Sequence, residues 1–347
     1  MPELAPDAPA STALAGRHYR IRDHYEVGRE KVREFARAVQ NHHPAHHFEA
    51  DAGKYGWDSV VAPPTFASVI GMVTTRALLD DVLSEYDLSQ ILQTDQTFHI
   101  HRPIVAGDVL RSEAEIESIR HLRGNDFITV KATVLDAEGA VVQVGAATLV
   151  ARLGGAVDAD IVRQVEGVVM HRRDLGAADP EVLVPIPGSE ATAEPTRTPS
   201  RRDTGQSTLP RFDDVAVGDQ LPTATMRLTR GDLVNYAGVA GDPNPIHFSD
   251  HAATLAGLPT VVAHGMLTMG LGAHYLTSWL GDPGAVRSYS VRFAGFVPVD
   301  AQSPALIDFS GKVKALDPER RTATILLGAT CAGKKLFGRA LAEVALA

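Results

Sequence analysis

The sequence predicts an α+β protein built from two copies of one domain, each an antiparallel sheet wrapped round a long buried helix. Three observations predict it. The chain has 347 residues, too many for one ordinary core and about right for two domains. Residues Gln40 to Phe66 align without a gap with Gly241 to Leu267, at a constant offset of 201: Pro44 matches Pro245, His46 matches His247, Ala52 matches Ala253, Gly56 matches Gly257, and Val60-Val61-Ala62 matches Val261-Val262-Ala263. A period this long marks a duplicated domain rather than a solenoid. After each long apolar helix the hydrophobic period falls towards two, which marks strands.

The elements follow in chain order. Residues 1–16 are rich in Ala and Pro, with acids in place of a basic leader and no apolar run, so a flexible start without a signal peptide is expected. The first copy covers 17–155 and opens with a short helix, Lys31 to Val39. A loop follows, then a buried helix from about Pro64 to Leu79, where an early proline is tolerated. Phe127–Leu135 and Val141–Val150, joined across Asp136-Ala137-Glu138-Gly139, read as a hairpin. Residues 156–208 read as a linker, because Pro185 to Pro210 is polar, proline-rich and unable to bury a core; Asp158 to Leu183 reads as a short appended helix. The second copy covers 209–347. Its opening helix, Arg230 to Ala240, has Thr229 as N-cap and Asp232 in the first turn. Its buried helix runs from Gly265 to Leu280 and stops at Gly281-Asp282-Pro283; strands at 323–329 and 335–345 flank Cys331-Ala332-Gly333-Lys334.

Composition narrows the function classes. A net charge of −9 argues against broad nucleic-acid binding, which needs cations to neutralise phosphates. Cys331 is the single cysteine, so neither a disulfide framework nor a cysteine-based zinc site is expected, and a buried thiol in a reducing cytoplasm is. From Ala252 to Gly281 there is no Asp, Glu, Lys or Arg, yet Gly-Leu-Pro breaks the run; it reads as an interior helix, not a membrane span.

The chemistry concentrates in Tyr236-Ala237-Gly238-Val239-Ala240-Gly241-Asp242-Pro243-Asn244-Pro245-Ile246-His247, followed by His264-Gly265-Met266 at the start of the buried helix. The two prolines stiffen a loop that carries a carboxylate and an imidazole five residues apart. Free N–H groups at the helix start point at whatever lies before it. Asp-Pro-Asn-Pro is also a good turn sequence, and Asp242 alone would serve as a cap. The full string with the later His-Gly-Met is more specific. Loss of water from a 3-hydroxyacyl thioester needs a base at C2, an acid at the leaving hydroxyl and donors for the enolate-like oxygen. Asp242 and His247 supply the acid/base pair and the Gly265 N–H the oxyanion donor.

Gly-Asp-Pro-Asn-Pro-Ile-His with Ala-His-Gly-Met resembles the MaoC-like, (R)-specific hydratase/dehydratase family. From about Phe212 onward the resemblance is closest to the catalytic B subunit of the mycobacterial-type (3R)-hydroxyacyl-ACP dehydratase. It takes in Gly218-Asp219-Gln220-Leu221-Pro222, Thr277-Ser278-Trp279 and Gly333-Lys334-Lys335-Leu336-Phe337-Gly338-Arg339-Ala340. Tyr19 to Leu153 resembles the partner A subunit, through Ala62-Pro63-Pro64-Thr65-Phe66 and a strand near Phe98 to Gly107. The resemblance implies a fusion of two subunits in a double hot dog. It implies Asp242 and His247 as catalytic pair, Gly265 as oxyanion donor and Asn244 as loop support. Some relatives carry a serine eight positions after that glycine; Ala273 stands there in this chain. The implied activity is (3R)-3-hydroxyacyl-ACP dehydration in type II, mycolic-acid-type elongation, without metal or cofactor. An (R)-specific enoyl-CoA hydratase, a thioesterase and a non-catalytic acyl-binding protein are the alternatives. Implied partners are an acyl-ACP or acyl-CoA thioester, acyl carrier protein, other elongation enzymes and further copies of the chain.

The first copy departs from the active pattern, since Gln40-Asn41 replaces Gly241-Asp242 while His46 remains. An amide neither takes nor gives the proton at neutral pH. The expectation is a non-catalytic domain shaping an acyl channel with Val69, Ile70, Met72 and Val73, residues that also fit an ordinary core. His42, His43, His46 and His47 have metal-like spacing, but Pro44 breaks the helix that would align them. His99 and His101 alternate on a strand and read as one polar face. Lys334, Lys335 and Arg339, with Arg287, Arg292, Lys312 and Lys314, are candidates for a basic patch that docks an acidic carrier protein.

Overall fold

A computed structural model describes residues 13–83, 86, 91–152, 182–195 and 208–347. Within them lie strands β1 (His18–Ile21) and β2 (Tyr25–Glu26), helices α1 (Arg29–Ala38), α2 (Glu49–Gly53) and α3 (Ala67–Asp81), and strands β3 (Leu92–Ile100), β4 (Val109–Leu122), β5 (Asn125–Leu135), β6 (Val141–Arg152) and β7 (Leu183–Ile186). The second copy supplies β8 (Gln220–Leu228), α4 (Arg230–Ala240), α5 (Asp250–Leu255), α6 (Gly265–Leu280), β9 (Val286–Phe293), β10 (Ala305–Asp317), β11 (Thr322–Cys331), β12 (Lys334–Lys335) and β13 (Phe337–Ala345). The main strand order is β7-β1-β4-β5-β6-β3-β9-β13-β11-β10-β8, all antiparallel. The copies therefore meet edge to edge: Asp95–His99 of β3 pairs with Ser288–Arg292 of β9, so neither leaves an open edge there.

Local chemistry sets the element bounds. Thr229 and Asp232 form a reciprocal capping box at the start of α4, and Gly241 ends the helix at φ 76°, a left-handed turn that glycine adopts without strain. α6 is largely apolar because most of it is buried, Ser278 being its exposed residue. A Cβ on Gly270 would press into Val39, and one on Gly272 would collide with the Tyr289 hydroxyl, so the missing side chains let α6 lie close to both. α3 starts at Ala67, later than expected, because Pro63 and Pro64 are spent in a turn closed by the Phe66 N–H on the Pro63 carbonyl. The strand expected to Gly107 stops at Ile100; Val105 instead makes a separate bridge to Val61.

Part of the expected linker is not a linker. Leu183–Ile186 pairs with β1 as the outermost strand, Leu183 is buried, and the Thr192 N–H donates to Glu113 at 2.9 Å. Proline is tolerated on an outer strand, where one side needs no ladder bonds. The appended helix expected at Asp158 to Leu183 lies, up to residue 181, outside the described residues, as do residues 1–12 of the expected flexible start. Residues 13–16 lie against β4, where the Gly16 N–H donates to Ile116 at 2.7 Å.

One hydrophobic core runs through both copies, from Val32 and Phe35 to Leu233 and Tyr236. Phe35 and Tyr236, equivalent under the offset, face each other with ring centroids 6.3 Å apart. No helix among the described residues is long and apolar enough to cross a membrane.

Candidate active site

The turn at Gly241 directs the chain into a loop that holds itself. Asp242 Oδ1 accepts from the Asn244 N–H at 3.1 Å, and Asn244 Oδ1 accepts from the Ile246 N–H at 3.2 Å. Asn244 thus caps the single turn Pro245–His247. The His247 ring is then pinned: Nδ1 lies 2.7 Å from the Val262 carbonyl. A carbonyl only accepts, so Nδ1 carries the proton and Nε2 presents a lone pair. That Nε2 stands 4.0 Å from Asp242 Oδ2. Burial pushes the His247 pKa below its ordinary value, while the Asp242 charge and the Val262 carbonyl pull it part of the way back. The loop carries a neutral base beside a half-exposed carboxylate.

Gly265 is the first residue of α6, so its N–H has no carbonyl one turn back within the helix. The Phe293 ring lies 3.4 Å from where a Gly265 Cβ would be and walls this side of the site. His264, just before it, is 2% exposed and stacks on His247 with centroids 3.6 Å apart and planes at 26°. Tyr236 covers His264 at 4.9 Å and 56°. Burial, and then the neighbouring His247, hold the His264 pKa well below the ordinary value. The Tyr236 hydroxyl is pushed up by burial and then by the Asp242 charge. Sequence reasoning quoted His264 but gave it no role; its place beside the helix-start N–H was the available signal.

Among the described residues, Asp242, His247 and His264 form a trio whose ligand atoms lie within 4.8 Å of one another. The two ring planes are nearly parallel, and lone pairs confined to such planes converge poorly on one ion. The first copy's histidines are spent separately. His46 Nδ1 donates to the Val61 carbonyl at 2.5 Å, His47 Nε2 lies 3.1 Å from the Asn41 carbonyl, and His43 Nε2 lies 3.2 Å from the Gly281 carbonyl. His99 and His101 both reach Glu194, at 2.9 and 3.3 Å.

The equivalent place in the first copy keeps one part of the site. His46 repeats the carbonyl bond of His247, and burial lowers its pKa to about 3. Asn41 stands for Asp242, Pro63 for His264 and Pro64 for Gly265. A proline has no N–H, so this copy lacks the helix-start donor as well as the carboxylate. Asn41 is fully buried; its amide donates to Thr277 Oγ1 at 3.2 Å, and its carbonyl lies 3.3 Å from His274 Nδ1. At the same offset, His274 corresponds to Val73, which is 49% exposed on α3, while Val69 and Ile70 are core and Met72 is half-buried.

Lys334 and Lys335 are exposed on β12. The Lys335 carbonyl lies against Gly295, and the Leu336 carbonyl accepts from the Ala294 N–H at 2.8 Å, so this hairpin packs on the stretch that begins with Phe293. Arg339 is exposed opposite Arg292, whose own partner is Asp95 at 2.9 Å. Lys312 and Lys314 are exposed on β10, remote in the sheet order from β9.

Two family models match different parts of the chain. Residues 13–144 match the FAS1-like dehydratase domain region, and residues 214–325 match the MaoC-like domain. A UPF0336 protein of Saccharopolyspora erythraea is 41% identical over 144 residues, covering 42% of this chain and 92% of that protein. A UPF0336 protein of Mycobacterium tuberculosis is 41% identical over 145 residues, covering 42% of this chain and 91% of its own length. A solved MaoC-like dehydratase is 43% identical, with a TM-score of 0.86 over 97% of this chain and 100% of that one. A Mycobacterium tuberculosis protein described as a double hotdog fold shares the architecture at 14% identity, with a TM-score of 0.60 over 96% of each chain. On this sequence and structural likeness, the chain belongs to the MaoC-like dehydratase family, as a double-hot-dog hydro-lyase whose two halves are fused in one polypeptide.

Proposed function

We propose that the chain removes water from a (3R)-3-hydroxyacyl thioester to give the trans-2-enoyl thioester, with Asp242 and His247 as the catalytic pair and Gly265 as oxyanion donor. The observation that carries this is the free Nε2 of a neutral His247, facing Asp242 at 4.0 Å. Nε2 takes the C2 proton, and the charge that develops on the thioester oxygen is met by the Gly265 N–H. The resulting imidazolium is held by the Asp242 carboxylate and the Val262 carbonyl. As the C3–O bond breaks, His247 returns the proton to the leaving oxygen and water departs, leaving the enzyme unchanged. A single base serving both steps requires that both bonds break on the same face of the thioester. A single preorganised oxyanion donor contributes about 2.7–4 kcal/mol to such a barrier.

The first copy is the non-catalytic half. It borders the acyl chain with α3, where Val73 and Met72 offer an apolar path. The substrate is carried by acyl carrier protein in type II elongation of long, mycolic-type acids, in the cytoplasm. Lys334, Lys335 and Arg339 support this reading, because they put positive charge beside Phe293, at the wall of the site, for an acidic carrier. Purified protein offered 3-hydroxyacyl thioesters of several lengths, on CoA and on carrier protein, should generate enoyl absorbance, with the higher kcat/KM on carrier protein. Release of free thiol without a double bond would replace the dehydratase by a thioesterase, and a CoA preference would replace the elongation role by an enoyl-CoA hydratase.

A further inference from the structure

Histidines are seldom left buried without hydrogen bonds, because stripping a polar group of water costs free energy that a partner must return. His264 is 2% exposed, and neither of its ring nitrogens has a partner among the described residues. Its ring cannot turn away to find one, held as it is between His247 at 3.6 Å and Tyr236 at 4.9 Å. One nitrogen of each histidine and an Asp242 oxygen lie within 4.8 Å of one another. Three atoms so spaced leave a point no more than about 2.8 Å from all of them, the length of an ordinary hydrogen bond to oxygen. A metal would need bonds of about 2.0–2.1 Å from two imidazoles whose planes lie nearly parallel. An oxygen tolerates that angle, since hydrogen bonds bend more readily than coordinate bonds.

We propose that His264 is a third catalytic residue, which closes with Asp242 and His247 around a single oxygen atom: the C3 hydroxyl that leaves in dehydration and the water that adds in hydration. This rests on the thioester reading above. In the neutral ring one nitrogen donates, so His264 gives a hydrogen bond to the leaving oxygen as the C3–O electron pair moves onto it. Asp242 accepts from that oxygen's own hydrogen, and the proton that completes the water comes from His247. His264 exchanges no proton. The assignment explains why the residue before the oxyanion glycine is a histidine in the active copy and Pro63 in the other.

The test is equilibrium binding to the full chain in an Asp242→Asn background, which halts turnover, using a 3-hydroxyacyl-CoA and the saturated acyl-CoA of the same length. The background should bind the hydroxy compound about 5- to 10-fold more tightly, the worth of a neutral hydrogen bond. Adding His264→Phe, which keeps a stacked ring, should bring that ratio to about one, while His264→Gln, which keeps a donor, should preserve part of it. Should the phenylalanine variant fail to melt cooperatively, the glutamine variant and Asp242→Asn alone carry the comparison. A ratio untouched by either substitution, or an equal loss for both ligands, would overturn the proposal and leave His264 as packing behind His247. A background chain that binds neither thioester would overturn the thioester reading itself.

Discussion

The two copies hold the same loop on the same turn and differ in what the loop can do. Both carry a histidine whose Nδ1 is tied to a backbone carbonyl, His46 on Val61 and His247 on Val262. In the second copy that ring faces a carboxylate and stacks on His264, the residue before the helix start. In the first, an amide and two prolines hold the corresponding positions, and the amide is spent on Thr277 and His274 of the other copy's buried helix. In the first copy, where Asn41 and Pro64 replace Asp242 and Gly265, the polar atoms of the loop serve the joint between domains.

The sharpest way to break the comparison is to give the active copy the inactive copy's proline. Gly265→Pro removes one N–H at a helix position that proline suits, so the fold should survive. We expect kcat to fall about 100- to 1,000-fold with little change in melting temperature. Gly265→Ala keeps the N–H and should cost far less, limited by contact with Phe293. A Gly265→Pro enzyme of full activity would remove the oxyanion role.

Asn41→Ala probes the other use of the loop. It strands Thr277 and His274 in the interior and should destabilise the chain by about 1–3 kcal/mol in chemical denaturation. No loss of stability would mean that the bonds to the buried helix contribute nothing.

Protonation gives a prediction of similar size. Burial holds His46 at a pKa of about 3 and His274 at about 4, against an ordinary value of 6.5. Their native forms are uncharged while the unfolded chain takes up protons, so stability is full above pH 6.5 and lost as pH falls towards 4. For the fully buried His46 the loss is roughly 1.4 kcal/mol per pH unit. His46→Gln should flatten the fall in melting temperature across that window without altering the rate at neutral pH; an unchanged slope would put the titration elsewhere.

The smallest effect concerns the carrier. Raising ionic strength from about 0.05 to 0.5 M shortens the reach of surface charge. It should lower kcat/KM on an acyl-carrier substrate several-fold and leave a CoA substrate less affected. Equal salt dependence would separate Lys334, Lys335 and Arg339 from carrier docking.

Much of this was legible in the sequence because local chemistry writes it. Thr229, Asp232 and Gly241 bound α4 to the residue, and Gly265 and Gly281 bound α6. The Asp242 to His247 string marked two side chains that the fold brings within 4.0 Å, and the repeat marked the corresponding loop in the first copy. What was not legible depends on distant partners. Leu183–Ile186 reads as linker until β1 is there to pair with it. The junction of β3 with β9 has no mark in either strand. His264 looks like a helix-start residue until its ring is seen lying on His247. The loss at Pro64 could have been read directly, by carrying the offset on to the residue that holds the donor.

The central claim is that one copy performs the chemistry and the other shapes it. Its most direct test is enoyl formation from one 3-hydroxyacyl thioester by two variants measured side by side, Asp242→Asn and Asn41→Ala. The account predicts that the first loses turnover by about 100- to 10,000-fold while the second keeps most of it. Comparable losses from both would contradict it.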